Sequence, residues 1–448
     1  LSLDLDFADN VLILENIQAE VGQGRQRGPA SGALRYDHAS GELILQAEAA
    51  FNPAAILSLV DQEEAEQALR EWMFTGPPPH IALQLRQQNR DAPLRMSLQV
   101  DAREVLSRGT FFAEVNARLE LTEETLRIYP LRATRGDAWL EGDLTWLLEE
   151  DLLRVEALST FPLPDLAPLI GPEAVTLLQP YRFRGENWLR VHGTVDLTDA
   201  HRNELQGKAH LHDVIWEWMI FDQLTFSFDL QGQSLASDDF HGILNLGAAE
   251  GFLRFEQIFD PREASFQAKI PGQHIDLFQL ITAATDTLDT PYTGRLSFEF
   301  DLFGSLNDFP DRPLFNTFGG EGRLEIREGE LFRIPLLLGL SRILSRVVRG
   351  FGYASQTNFR ADVRVGEGRI SSRNLFLEGR LLSIEGDGHI GFDNSIHANM
   401  KVQLLSQGVI ADVLNALLWP VRKLIEVRLS GTLDEPVWYP RNLPRELF

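Results

Sequence analysis

Residues that could do chemistry are few in this sequence, and one histidine pair is the most suggestive. His210 and His212 are two residues apart, and Asp213 follows them. Side chains two residues apart in a strand point to the same face, so both imidazoles could approach one metal ion. No third ligand stands at a matching spacing, and the sequence contains no cysteine. We therefore interpret the pair as ordinary strand histidines and predict neither a metal nor a cofactor.

Motifs for nucleophilic or nucleotide chemistry are incomplete. The segment Gly339-Leu-Ser341 lacks the second glycine of a nucleophile elbow and does not follow a strand. The segment Gly320-Glu-Gly322 lacks the third glycine and the helix of a dinucleotide fingerprint. The acidic clusters lie in predicted helices or turns, where solvated side chains are expected, and none has a partner for acid and base catalysis. The sequence thus predicts no catalytic residue and a protein that is not an enzyme.

Composition restricts the partners and the compartment. The chain has 41 Lys and Arg against 65 Asp and Glu, a formal net charge of −24. Such a charge repels phosphate backbones, which argues against nucleic acid as a partner. The hydrophobic content of 44% is that of a folded chain. The absence of cysteine is compatible with a periplasmic location.

A membrane anchor is expected outside the sequence. No window approaches the roughly 20 apolar residues that a spanning helix needs. Leu1 already lies inside an alternating run that continues to Phe7, and no signal peptide is visible. We interpret the chain as part of a longer protein with a membrane anchor upstream.

Strict alternation of apolar and polar residues is the main structural signal. Leu296, Phe298, Phe300 and Leu302 alternate with polar residues, as half-buried strands do. Short turns between successive strands favour antiparallel pairing, and about twenty strands follow one another in this way. The sequence predicts a mainly β protein, in which one long curled antiparallel sheet forms an elongated hydrophobic groove with short capping helices. The alternative is a series of β-sandwiches whose sheets bury each other's apolar faces.

Short helices are expected to interrupt the strands at intervals. Asp165 and Asp276 stand near the start of two such segments and are 111 residues apart, which suggests a long internal repeat. The predicted helices span 52–74, 163–170, 274–281, 335–351 and 408–418. The predicted blocks are a β-groove repeat at 1–171, a second at 172–318 and a C-terminal region at 319–448.

The C-terminal region carries a family resemblance. A glycine-rich alternating strand from Gly320 to Ile326 leads into an apolar helix after Pro335. Strands of the form Phe359-Arg-Ala-Asp-Val363-Arg-Val365 follow, and Leu429-Ser-Gly-Thr-Leu-Asp-Glu-Pro436 closes the region. This order resembles the C-terminal region of the AsmA-like family, the relatives of AsmA, TamB and YhdP in the envelopes of Gram-negative-type bacteria. The resemblance implies a β-groove that carries lipid between the inner and outer membranes.

Two groups of residues are predicted to form the binding surface. The first is the apolar face of the strands, which would line the groove for acyl chains. Its predicted members are Leu224, Phe226, Phe228, Leu230, Leu253, Phe255, Leu296, Phe298, Phe300, Leu302, Leu324, Ile326, Val363, Val365, Ile384 and Ile390. The second is a basic stripe on the predicted helix after Pro335, formed by Arg342, Arg346 and Arg349. This stripe could contact a lipid headgroup or a membrane surface, although solvated arginines are the more ordinary interpretation.

The expected function is lipid transfer in the periplasm, by a protein anchored to the inner membrane and assisted by an envelope protein partner. The alternative is a scaffold or chaperone for outer-membrane protein assembly, which would use exposed strand edges. An enzyme acting on envelope polysaccharide is disfavoured because no pair of carboxylates stands out.

Overall fold

The structure is a computed structural model, and it describes most of the chain. The described residues are 2–21, 28–51, 72–179, 181–216, 219–258, 260, 263–285, 293–305, 317–347, 351–352, 356–405 and 424–441. About 70% of them are in strands and about 10% in helices, which confirms the mainly β prediction.

The strands form one long antiparallel sheet of 26 members that does not close into a barrel. The first thirteen are β1 (Ser2–Ala8), β2 (Val11–Val21), β3 (Gly28–Asp37), β4 (Leu43–Ala50), β5 (Trp72–Phe74), β6 (His80–Gln87), β7 (Arg95–Ser107), β8 (Thr110–Leu121), β9 (Thr125–Arg135), β10 (Ala138–Leu147), β11 (Leu152–Ser159), β12 (Tyr181–Phe183) and β13 (Trp188–Asp196). The others are β14 (Glu204–Trp216), β15 (Met219–Gln231), β16 (Ser234–Leu244), β17 (Gly247–Glu256), β18 (Ser265–Asp276), β19 (Arg295–Ser305), β20 (Phe318–Gly329), β21 (Thr357–Gly366), β22 (Arg369–Gly379), β23 (Leu382–Gly391), β24 (Ile396–Leu404), β25 (Leu424–Gly431) and β26 (Pro436–Pro440).

Helices are few and short in the described part of the chain. They are α1 (Leu163–Ile170), α2 (Pro172–Leu178), α3 (Leu277–Thr285) and α4 (Pro335–Val347). Two short 3₁₀ turns cover Ala200–Arg202 and Leu331–Arg333.

Tight turns set the antiparallel order of the strands. Between β7 and β8, for example, the chain reverses at Arg108 and Gly109, which both have positive φ angles, 46° and 90°. Two residues with positive φ form the hairpin turn whose twist matches that of the strands, and glycine adopts this backbone without strain. Successive strands therefore pair with each other along nearly the whole chain. The short strands β5 and β12 are exceptions, because β4 pairs with β6 and β11 pairs with β13.

The chain divides into two compact units. The first comprises Leu1–Leu211 with Asp229–Gly232, and the second comprises His212–Phe228 with Gln233–Phe448. The predicted division into three blocks, at residues 171 and 318, stays a prediction.

In the first unit, a core lies beneath α1. Phe161 and Leu166 pack onto Val105, Phe112 and other apolar side chains of strands β7 to β10. The helix is also held by polar contacts, because the Arg135 guanidinium pairs with the Asp165 carboxylate. An amphipathic sheet must cover part of its apolar face, and α1 covers this part.

In the second unit, α3 and α4 lie at the same end of their strands. Helix α3 connects β18 to β19, and α4 lies between β20 and β21. Strands β18 and β20 run in the same direction, because each pairs antiparallel with β19. Leu340 and Leu344 of α4 are fully buried against a cluster that includes Val402 and Val427. Trp438 of β26 holds the helix in place, because its indole N–H donates a hydrogen bond to the carbonyl oxygen of Leu336 at 2.9 Å.

Several predicted helix bounds need correction. Helix α1 has the predicted bounds, whereas Trp72–Phe74 is strand β5, paired with β7, and not the end of a helix. Helix α3 begins at Leu277, because His274–Asp276 still belong to β18. Helix α4 ends at Val347 within the described residues, and Phe351 lies outside it. The predicted helical residues 52–71 and 408–418 lie outside the described residues.

Strand β23 runs without interruption from Leu382 to Gly391, although Gly386 and Gly388 lie inside it. These two glycines stand opposite Met400 and Ala398 of β24 across the ladder.

Candidate functional site

Twelve of the sixteen predicted lining residues lie on one face of the sheet in the second unit. Residues that stand directly opposite each other in an antiparallel ladder share a face. Leu253 stands opposite Ala268, which stands opposite Leu302. From Leu302 the same row continues through Gly320, Val365, Ile370 and Ile390. Four of the predicted residues are thus joined in one row across seven strands.

Parallel rows hold the other predicted residues of this face. Phe300 stands opposite Gly322, which faces Val363. Phe298 faces Leu324. The row nearest the helices consists of Leu296, Ile326, Phe359, Leu377 and Ile384. The apolar face is therefore continuous across the strands. Each strand contributes one residue to each row through its alternating pattern.

Two β-bulges keep this face apolar where simple alternation would break it. The register shifts in β18 between Gly272 and Ile275, and in β22 between Ser372 and Leu375. An extra residue in one strand changes which side chains point to a given face. Ile370 and Leu377, an odd number of residues apart, consequently share the apolar face.

Phenylalanine rings lie flat over glycines of neighbouring strands. A Cβ added at Gly272 would lie 2.5 Å from Cζ of Phe298, and one at Gly322 would lie 2.4 Å from Cδ1 of Phe300. Each ring occupies the space that a side chain would otherwise fill, as aromatic residues do over glycines in sheets. Because these positions are glycines, the rings can lie close against the sheet and make its surface apolar.

A row of three aromatic rings lies at the other end of the strands, away from α3 and α4. Phe266 stands opposite Phe255 in β17, with ring centroids 6.4 Å apart. On its other side the ring reaches across Gly304 to Phe318, at 4.7 Å. Sequence reasoning missed Phe266 and Phe318 as lining residues. The alternation around Phe266 was a signal that could have found it.

Burial separates a covered part of this face from a more open part. Ile384 is 4% exposed and belongs to the cluster beneath α4, so it is part of a packed core. Leu296 belongs to a smaller cluster with Leu244 and Ile275, against which Phe298 packs. Leu253, Phe255, Phe300 and Leu302 are partly buried. No predicted lining residue is fully exposed. The more open residues are candidates for contact with a ligand.

The opposite face of the same strands carries charged residues in pairs. Lys269 and Glu299 form an ion pair of 3.1 Å, and Arg323 contacts Asp362 at 3.0 Å. Hydrogen bonds from Arg323 and Asn374 hold the pKa of the Asp362 carboxyl below its usual range. These side chains are exposed, so the ion pairs contribute little to stability but keep this face in water. The sheet is amphipathic, with one face for water and one for apolar contacts.

The remaining predicted site residues fall elsewhere. Leu224, Phe226 and Phe228 are partly buried in β15 within the second unit, whereas Leu230, at 7% exposure, belongs to the first. Arg342 is exposed on α4. Arg346 lies in the same helix, and Arg349 lies outside the described residues. The basic stripe as a whole is therefore not described.

In the histidine pair of β14, His210 packs against an aromatic side chain. The His210 ring stacks on Trp188, with centroids 6.0 Å apart. Among the described residues, no group of three His, Cys, Asp or Glu side chains is arranged to hold a metal ion. The described helices are all too short or too polar to cross a membrane.

No family model matches this chain, and no curated protein matches it.

Proposed function

We propose that this chain is a lipid-transfer conduit of the cell envelope, which carries phospholipid acyl chains along the apolar face of its sheet. The observation that carries the proposal is the row from Leu253 through Leu302 and Val365 to Ile390. An acyl chain needs a long, uninterrupted apolar surface, and this row provides one across successive strands. The charged opposite face keeps such a sheet in water.

The energetics suit a conduit better than a tight receptor. Burial of an acyl chain of about 16 methylenes is worth about 0.8 kcal/mol for each, or about 13 kcal/mol in total. The membrane gives the same chain a similar stabilisation. Transfer from bilayer to protein is then close to neutral, and a lipid can leave as readily as it enters. This function needs no catalytic residue and no cofactor, so the proposal is not an enzymatic one.

The resemblance of the C-terminal region to AsmA-like proteins supports a proposed location. That resemblance implies a periplasmic protein that is anchored to the inner membrane, works with an envelope partner and delivers phospholipid for outer-membrane biogenesis. We propose the same setting for this chain.

A site-specific crosslink would test the conduit directly. A photoreactive amino acid at Leu302, on the apolar face, is expected to capture lipid when the protein is expressed in a Gram-negative cell and purified without detergent. The matched control is the same amino acid at Asp301, the next residue, which faces the opposite side. Mass spectrometry would identify the adducts. Equal lipid capture at both positions, or capture of an unfolded protein in place of lipid, would reject the conduit.

A further inference from the structure

A second pair of histidines lies on the charged face of the hairpin formed by β23 and β24. His389 and His397 stand directly opposite each other in the ladder. Their rings are 5.2 Å apart between centroids and nearly parallel, at 13°. His397 is exposed and His389 is partly buried, so solvent ions can reach the pair.

Charged groups of both signs lie near this pair, since two carboxylates are close to it and Arg369 stands opposite Gly391 in the adjacent strand. The Asp393 carboxylate lies over Gly391, because a Cβ at that glycine would be 2.2 Å from Oδ1 of Asp393. Gly391 and His389 are two residues apart in β23 and so face the same way. The Asp393 carboxylate accepts hydrogen bonds from the backbone N–H and the hydroxyl of Ser395, at 3.0 and 2.5 Å. Asp387 also lies on this face, two residues before His389.

We propose that His389 and His397 form a two-histidine site for a divalent transition-metal ion, with Cu²⁺ bound most tightly. Neutral imidazole is a ligand that Cu²⁺ and Zn²⁺ both accept, and Cu²⁺ leads the order of affinities for such sites. Metal to nitrogen bonds are about 2.0–2.1 Å, so two ligand nitrogens can be up to about 4.2 Å apart. Rotation of both rings about their Cβ–Cγ bonds would turn one nitrogen of each towards the other to meet that limit, and water would complete the coordination.

This pair differs from His210 and His212, which lie along one strand. His210 is already stacked on Trp188. The partner of His389 lies across the ladder, in the adjacent strand, so a metal there connects β23 to β24. The bound ion would crosslink the two strands at the end of the hairpin, close to the turn at Asp393.

Titration of the untagged, metal-free chain with Cu²⁺ tests the site. The electron paramagnetic resonance spectrum of the first equivalent should show hyperfine coupling to two imidazole nitrogens. His389→Gln and His397→Gln should each weaken Cu²⁺ binding by at least tenfold, measured by chelator competition. His210→Gln is the matched control and should leave the affinity unchanged. Each variant should melt at the wild-type temperature without metal.

A second measurement on the wild-type chain covers the case in which a variant fails to fold. Substoichiometric Cu²⁺ should broaden the imidazole NMR signals of His389 and His397 before those of the other histidines. The proposal is overturned if His389→Gln or His397→Gln keeps wild-type affinity, or if other histidines broaden first.

Discussion

Substitution of Leu302 by aspartate separates the binding face from the packed core. Leu302 occupies the row between Leu253 and Val365 and stands opposite Ala268 on one side and Gly320 on the other. Its immediate neighbours across the ladder are small, and its side chain is only partly buried. The residue therefore contributes to the apolar face from a partly buried position.

The Leu302→Asp substitution should reduce the free energy of unfolding by less than it reduces the free energy of lipid binding. A fully buried leucine is worth about 1.5–3 kcal/mol, so loss of this partly buried side chain should reduce the free energy of unfolding by about 1–2 kcal/mol. A bound acyl chain would instead cover the new carboxylate and remove it from water without a partner. A cost of about 2.8 kcal/mol for that desolvation is a hundredfold loss of affinity, and the expected cost is at least this large.

Two measurements on the same preparations decide the outcome. Leu302→Asp should melt cooperatively at a slightly lower temperature, and its lipid content, measured by mass spectrometry after detergent-free purification, should fall to a few per cent of wild type. The control Asp301→Asn, on the water face, should change neither quantity. A folded Leu302→Asp protein that retains its full lipid load would refute our assignment of the binding face.

Three further substitutions test other parts of the structure. Phe298→Asp should destabilise the fold by about 3 kcal/mol or more in chemical denaturation, because Phe298 packs against a buried cluster; a loss as small as that of Leu302→Asp would contradict this. Gly304→Ala should cost about 1–3 kcal/mol, since its Cβ would lie 2.5 Å from Phe266, and unchanged stability would show that the ring moves freely. Hydrogen bonds from the backbone and hydroxyl of Thr198 hold the pKa of Asp196 below its usual range. The stability that they confer is complete above the unfolded pKa of about 3.9 and is lost as the pH falls below it, so Asp196→Asn should flatten the acid side of the pH–stability curve. An unchanged acid limb would contradict this role for Asp196.

The fold class could be predicted because alternation is a local property of a strand. The run from Leu296 to Leu302 has one apolar and one polar side wherever it lies, so the sequence predicts a half-buried strand without knowledge of its partners. Helix α1 was also predictable, because a proline, an early aspartate and apolar residues at helical spacing are all local signals. Most predicted lining residues are on one face for the same reason.

Which part of that face is covered depends on contacts between residues far apart in the sequence. Ile384 has the same local pattern as Leu302, yet it lies beneath α4, a helix that begins 49 residues earlier at Pro335. Trp438, more than a hundred residues after Leu336, fastens that helix to the last strand. Such packing depends on the complete arrangement of strands, which no single strand specifies.

Register is the other property that only the tertiary structure decided. The bulge in β22 brings Ile370 and Leu377 to one face, although their spacing predicts opposite faces. The same ladder places His389 opposite His397, a pair that the sequence pattern did not single out. Alternation specifies which side chains share a face within a strand. The hydrogen bonds between strands, and the bulges that shift them, specify which side chains meet across the sheet.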